Sequence, residues 1–126
     1  MILADTSIWI SMFRANPYKT MMESLIAKDQ LCTHPLVVAE LALGYLPERR
    51  STLGYLDQLN TVEVVRLEEI RHMIEARGLS SKGIGLIDAH LVASCLATPG
   101  VQLWTLDGKL GKVAESLSIR AYFPPS

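Results

Sequence analysis

A chain of 126 residues with 49% hydrophobic content is sized for a single domain, residues 1–126, with a core of its own. Its net charge of −1 excludes a protein that holds nucleic acid by bulk basicity alone, and no apolar stretch reaches the roughly 18 residues of a membrane span. Cys32 and Cys95 stand far apart without a CxxC pairing, which excludes a disulfide framework and a cysteine zinc site.

The elements alternate in kind along the chain. Strands are expected at 2–4, 30–33, 62–65, 102–105 and, more weakly patterned, 119–122. Helical spacing covers 6–14, 18–28, 36–45, 49–59, 68–77, 86–97 and 109–117. Pro35 suits the first turn of a helix, Asn16-Pro17 and Leu46-Pro47 break others, and Asp107-Gly108 marks a turn. Strands alternating with helices predict an α/β fold whose mainly parallel sheet is covered on both faces. The segment 86–97 is apolar nearly all round, so its helix is expected to be central and buried. A mean hydropathy of +0.24 is high for a small monomer and points to apolar surface covered by a partner. The free thiols suit a reducing compartment, and without a basic leader and cleavage site the expected location is the cytoplasm.

Four acids stand in apolar settings. Asp5 follows the first strand, Glu40 lies in PLVVAELALG, Asp88 opens the buried helix, and Asp107 follows QLWTL. Each has an ordinary explanation alone. Asp5 suits a helix cap, Asp88 a helix first turn, Asp107 a turn, and Glu40 a narrow polar edge. Together they form a pattern, because ligands of open parallel sheets gather outside the carboxyl ends of strands. Chain order alone brings Asp5 and Asp107 to that edge. Glu40 and Asp88 join them only if their helices pack there. Two carboxylates about 5 Å apart repel by roughly 3 kcal/mol at an effective dielectric near 20. A converged cluster therefore binds protons or a cation. Oxygen ligands select a hard divalent ion such as Mg²⁺, which commonly uses one or two carboxylates, waters and substrate phosphate. The chemistry then expected is metal-dependent phosphoryl hydrolysis.

These segments resemble a known family over almost the whole chain: the PIN-domain ribonucleases, and among them the VapC toxins of bacterial toxin–antitoxin pairs. ILADTSIWI is similar to the opening strand with its acidic signature, and PLVVAELALG to the second motif with Glu40. GIGLIDAHLVAS is similar to the third with Asp88, and LWTLDGKLGKVAESLSI to the last with Thr105 and Asp107. Lys109 departs from the pattern, since many relatives carry a further acid there. His90 also stands where many have a small or aliphatic residue. The resemblance implies a three-layer α/β/α sandwich, an RNA substrate, Mg²⁺ (or Mn²⁺), a homodimer and a cognate antitoxin that blocks the site.

On this reading Asp5 and Asp88 are the main metal ligands, and Glu40 and Asp107 complete the catalytic acids, through water or a second ion. Thr6, Ser7 or Thr105 would hydrogen-bond the carboxylates. Hydrolysis by water would leave a 5′-phosphate and a 3′-hydroxyl. Lys82, Lys109, Lys112 and Arg14 are candidates for RNA phosphates, with Arg49 and Arg50 behind them. Nothing in the placement of His34, His72 and His90 brings them together, and His90 lies about 200° around a helix from Asp88. All three read as structural, and Trp9 and Trp104 as core or dimer-interface residues. Two other classes stay open. An aspartyl-phosphate phosphohydrolase also places Asp after its first strand, but it usually needs an acid where Ser7 stands. A PIN-like binding module without catalysis would be expected to have lost acids.

Overall fold

The computed structural model describes residues 1–124. Three-residue strands β1 (Ile2–Ala4), β2 (Leu31–Thr33) and β4 (Gln102–Trp104) and the two-residue β3 (Asn60–Thr61) form one parallel sheet in the order β3-β2-β1-β4. Leu3 pairs with Cys32 on one side and Leu103 on the other. The helices are α1 (Thr6–Ala15), α2 (Lys19–Ala27), α3 (Pro35–Leu43), α4 (Arg49–Leu56), α5 (Leu67–Ala76), α6 (Leu86–Ala97) and α7 (Gly108–Ser116).

Parallel strands need crossovers, and these are almost always right-handed. The chain moves from β1 outward through β2 to β3, then returns across the sheet to β4. The handedness rule therefore sets α1–α4 on one face and α5–α7 on the other, a three-layer α/β/α sandwich. Helix contacts agree: α1 packs on α3, and α5 on α6. The reversal of direction lies between β1 and β4, and a crevice opens at such a switch point outside the strand ends.

β1 and β2 are buried throughout and β4 nearly so, whereas β3 at the sheet edge is exposed. Ile2, Leu3, Ala4, Leu31 and Cys32 are all buried and continue into Leu103 and Trp104. Trp104 meets Tyr18 and Tyr122 edge-on, each with ring centroids 5.2 Å away, and Trp9 is also buried, so both tryptophans belong to the core. Leu91, Val92 and Cys95 make α6 the central helix expected from its composition.

Two strands differ from expectation. The third comes earlier, at Asn60–Thr61, because β2 stops at Thr33 and its last bond is accepted from Val62 N–H. Past Val62 the backbone turns away, Glu63 N–H going to Thr98 Oγ1 and Val64 standing half exposed. The last strand reduces to one parallel bridge between Leu103 and Ala121, flanked by bonds of Leu103 to Arg120 and Tyr122. Helix bounds shift by a residue or three; α3 runs Pro35–Leu43 and α4 Arg49–Leu56.

Candidate active site

Asp5 leaves β1 at the switch point and caps α1, accepting the N–H of Ile8 at 3.2 Å. The same Oδ1 accepts the Ser7 hydroxyl, and Oδ2 accepts the Thr105 hydroxyl. A carboxylate offers about four lone-pair sites, so three donors leave one for a cation. The hydroxyls are themselves aimed. Ser7 Oγ accepts Leu106 N–H at 3.0 Å, and Thr105 Oγ1 accepts Asp107 N–H at 2.9 Å. Each hydroxyl hydrogen is thereby left for Asp5. The segment leaving β4 fixes the carboxylate that ends β1, and Asp5 N–H bonds Trp104 O at 3.0 Å beneath it. Ser7 and Thr105 thus both donate to the Asp5 carboxylate. Thr6 does not: its buried hydroxyl has no partner among the described residues.

Asp107 caps α7, its Oδ1 accepting Lys109 N–H at 2.9 Å and Leu110 N–H at 3.2 Å. Capping and a place in the pocket coexist at both Asp5 and Asp107. Asp88 comes from the opposite helical layer to Glu40. Burial raises its carboxyl above the ordinary range, and the charges of Asp107, Asp5 and Glu40 add to the rise, while the Gly85 backbone opposes it. The charges of the other three acids therefore reach Asp88, from both faces of the sheet. They grade in exposure: Asp5 is buried, Asp88 half-buried, Glu40 and Asp107 exposed.

The donor set is oxygen only and crowded with negative charge, which fits a hard divalent cation. Among the described residues no three Asp, Glu, His or Cys side chains already stand as a closed ligand set. Two carboxylates completed by water and phosphate oxygens are what Mg²⁺ usually takes.

The basic residues divide between the two sides. Lys82, Lys109 and Lys112 are exposed around the α6–α7 side, whereas Arg14 lines a groove beside Glu40. Arg49 is otherwise employed, donating to Ala42 O at 2.7 Å and Gly44 O at 3.2 Å to close the end of α3. That groove, of about 890 Å³, runs between α1 and the end of α3 past Ile10, Phe13, Leu41 and Tyr45 to Ser7 and Glu40. Sequence reasoning missed it, although Ile10 and Phe13 carry its signal as an i, i+3 apolar pair on α1.

The histidines correct the expectation that they stay apart. His34 and His90 meet edge-on with centroids 5.8 Å apart; only His72 lies elsewhere, on α5. His34 Nδ1 caps α3 by accepting Leu36 N–H at 3.0 Å. Burial, with His90 adding, pushes His34 down to about 4, and burial also lowers His90. They are neutral packing groups at neutral pH.

The PIN domain family profile matches residues 2–116, and that match spans all four acids. "Ribonuclease VapC32" of Mycobacterium tuberculosis, in two strains, is 38% identical over 110 residues, 87% of each chain. The chain belongs to the PIN domain family, in its VapC branch. In this PIN domain the four acids lie at the end of β1, on α3, at the start of α6 and after β4. No helix among the described residues is long and apolar enough to cross a membrane.

Proposed function

We propose that this PIN domain is a divalent-metal-dependent endoribonuclease, the toxin of a toxin–antitoxin pair. The observation that carries the reading is that the charges of Asp107, Asp5 and Glu40, coming from both helical layers, all reach the half-buried Asp88. The name of these relatives, ribonuclease, makes RNA the substrate to test first. Mg²⁺, with Mn²⁺ able to substitute, is the ion proposed.

Asp5 and Asp88 would hold the ion. Once bound it supplies Lewis acidity toward phosphate and lowers the pKa of water. Ser7 and Thr105 keep Asp5 aimed, and outer partners of this kind are typically worth 10–100-fold in metal affinity or activity. Glu40 and Asp107, being exposed, orient water and take up its proton. Lys82, Lys109 and Lys112 meet RNA phosphates, which gives salt-dependent affinity without choosing a sequence. The aspartyl-phosphate alternative is weakened, because Asp5 is 4% exposed and already holds three donors, a poor nucleophile.

The apolar groove beside Glu40 is the proposed seat of the cognate antitoxin. It is continuous with the acid pocket through Ser7 and Glu40, so a segment lying in it would block substrate. Leu43 and Tyr45, each 90% exposed, flank it as apolar surface in want of cover. A homodimer in the cytoplasm completes the proposal.

Purified protein should cleave RNA with added Mg²⁺ or Mn²⁺, leave 5′-phosphate ends, and stop on EDTA. Cleavage that persists in EDTA, or ends in a cyclic phosphate, would overturn the metal-dependent reading.

A further inference from the structure

Gly83 adopts φ +82°, and a Cβ built on it would stand 2.9 Å from Lys109 Cδ and 3.4 Å from Lys109 Nζ. The lysine stem fills the space that any side chain at 83 would need. Gly78 and Gly100 share the left-handed backbone but meet nothing within 4 Å. Turn geometry accounts for those two; at Gly83 an exposed lysine also lies over the glycine and would have to move for a side chain there.

The lysine bridges two parts of the acid pocket. Its own N–H is held by Asp107 Oδ1 at the start of α7. Two residues beyond Gly83, Gly85 is the N-cap of α6, the helix that carries Asp88. The side chain therefore runs from the Asp107 cap to the loop that delivers Asp88. Its tip is not consumed by a carboxylate: among the described residues the ion pairs are those of Arg66 with Glu68 and Glu69. A lysine ordinarily loses rotamer freedom when it grips a ligand. A side chain at 83 would remove the path over the glycine that leads Lys109 toward the loop before α6.

Charge makes such a group necessary. Four carboxylates repel a phosphodiester, and a single divalent ion offsets only part of their charge. We propose that Lys109, whose side chain passes over Gly83, is the second cation of the site: its Nζ binds a non-bridging oxygen of the scissile phosphodiester, so that one tightly held divalent ion suffices. The proposal rests on the hydrolytic reading above and deepens it. The lysine does more than add to a basic rim, because it contacts the phosphate at which the chain is cut. A cation placed where charge grows in the reaction stabilises the transition state more than the ground state.

The test compares wild type with Lys109→Ala, Lys109→Arg, Gly83→Ala and Gly100→Ala, the last a control for strain in a left-handed glycine. Three readouts are taken: Mn²⁺ binding by calorimetry without RNA, RNA affinity against salt in EDTA, and Mg²⁺-supported cleavage. Lys109→Ala should bind Mn²⁺ at least as tightly as wild type, having lost a nearby positive charge. Its salt slope should shrink by about 0.7, the share of one phosphate contact on a single strand. Its kcat should fall by about 10²-fold, the size seen when one charge-stabilising donor is lost. Lys109→Arg should recover part of that loss. Gly83→Ala should show the same pattern more weakly, and Gly100→Ala should cleave as wild type does per folded molecule. Cleavage by Lys109→Ala within about threefold of wild type would overturn the proposal, as would a loss that tracks weaker Mn²⁺ binding. A wild type that cleaves no RNA would overturn the hydrolytic reading and this proposal together. A cleaving wild type matched by Lys109→Ala would overturn this proposal alone.

Discussion

The ends of β1 and β2 use the same local grammar for different purposes. Each strand delivers a buried polar residue that caps the next helix: Asp5 holds Ile8 N–H, and His34 holds Leu36 N–H. At β1 the neighbour is β4, whose outgoing segment sends the Thr105 hydroxyl to the carboxylate and, through Leu106 N–H, aims the Ser7 hydroxyl of α1 at it. At β2 the capping ring faces His90, and burial keeps it neutral. A strand-end cap becomes a site only at the switch point, where two chain segments leave neighbouring strands side by side. Polarity at a strand end is therefore insufficient; the company it keeps decides.

That contrast can be broken at either end. The largest expected effect is at β1. Asp5→Asn keeps an oxygen to cap α1, so melting should move by only a few degrees, while RNA cleavage falls by about 10³-fold, several kcal/mol of transition-state stabilisation. Undiminished cleavage would remove Asp5 from the chemistry. Next come the hydroxyls: Ser7→Ala and Thr105→Val should each weaken Mn²⁺ binding and cleavage by about 10–100-fold, read by calorimetry and a cleavage assay.

At β2 the effect should fall on stability instead. The folded-state value of His34 is lowered to about 4 from an ordinary 6.5, so between those pH values the unfolded chain binds the proton more readily. Stability is full above about 6.5 and drains away as pH falls toward 4, a loss on the order of 3 kcal/mol. Denaturant melts across that range should be flatter for His34→Asn, which keeps an N-cap acceptor but cannot titrate. The smallest effect is the converse at Asp88. Its folded-state value is raised, so its contribution is present at low pH and is lost as pH rises through that value. Metal-free Asp88→Asn should therefore melt slightly above wild type at neutral pH.

Chain order was enough to read Asp5 and Asp107, since each follows a strand and parallel strands share one exit edge. Glu40 and Asp88 were legible as acids in apolar helices, but periodicity gives a helix a face without saying which neighbour that face meets. The four-motif resemblance supplied what spacing could not. The third strand was misplaced because valines at 62, 64 and 65 carry β propensity, while the length of a strand is set by where its partner ends, here Thr33. The meeting of His34 and His90 left no trace in sequence, as each occupies a locally ordinary position on a different helix. Lys109 was read as one of several surface cations; its contact with Gly83 exists only once α7 and the loop before α6 are brought together.

The account stands most directly on the claim that the crowded carboxylates at the β1–β4 crevice hold a divalent ion. Calorimetric titration of Mn²⁺ into wild type and Asp88→Asn tests it. The account predicts that the variant, though slightly more stable without metal, binds Mn²⁺ at least about 30-fold more weakly, a loss of roughly 2 kcal/mol. Equal affinity in the two proteins would contradict it and move the ion away from this pocket.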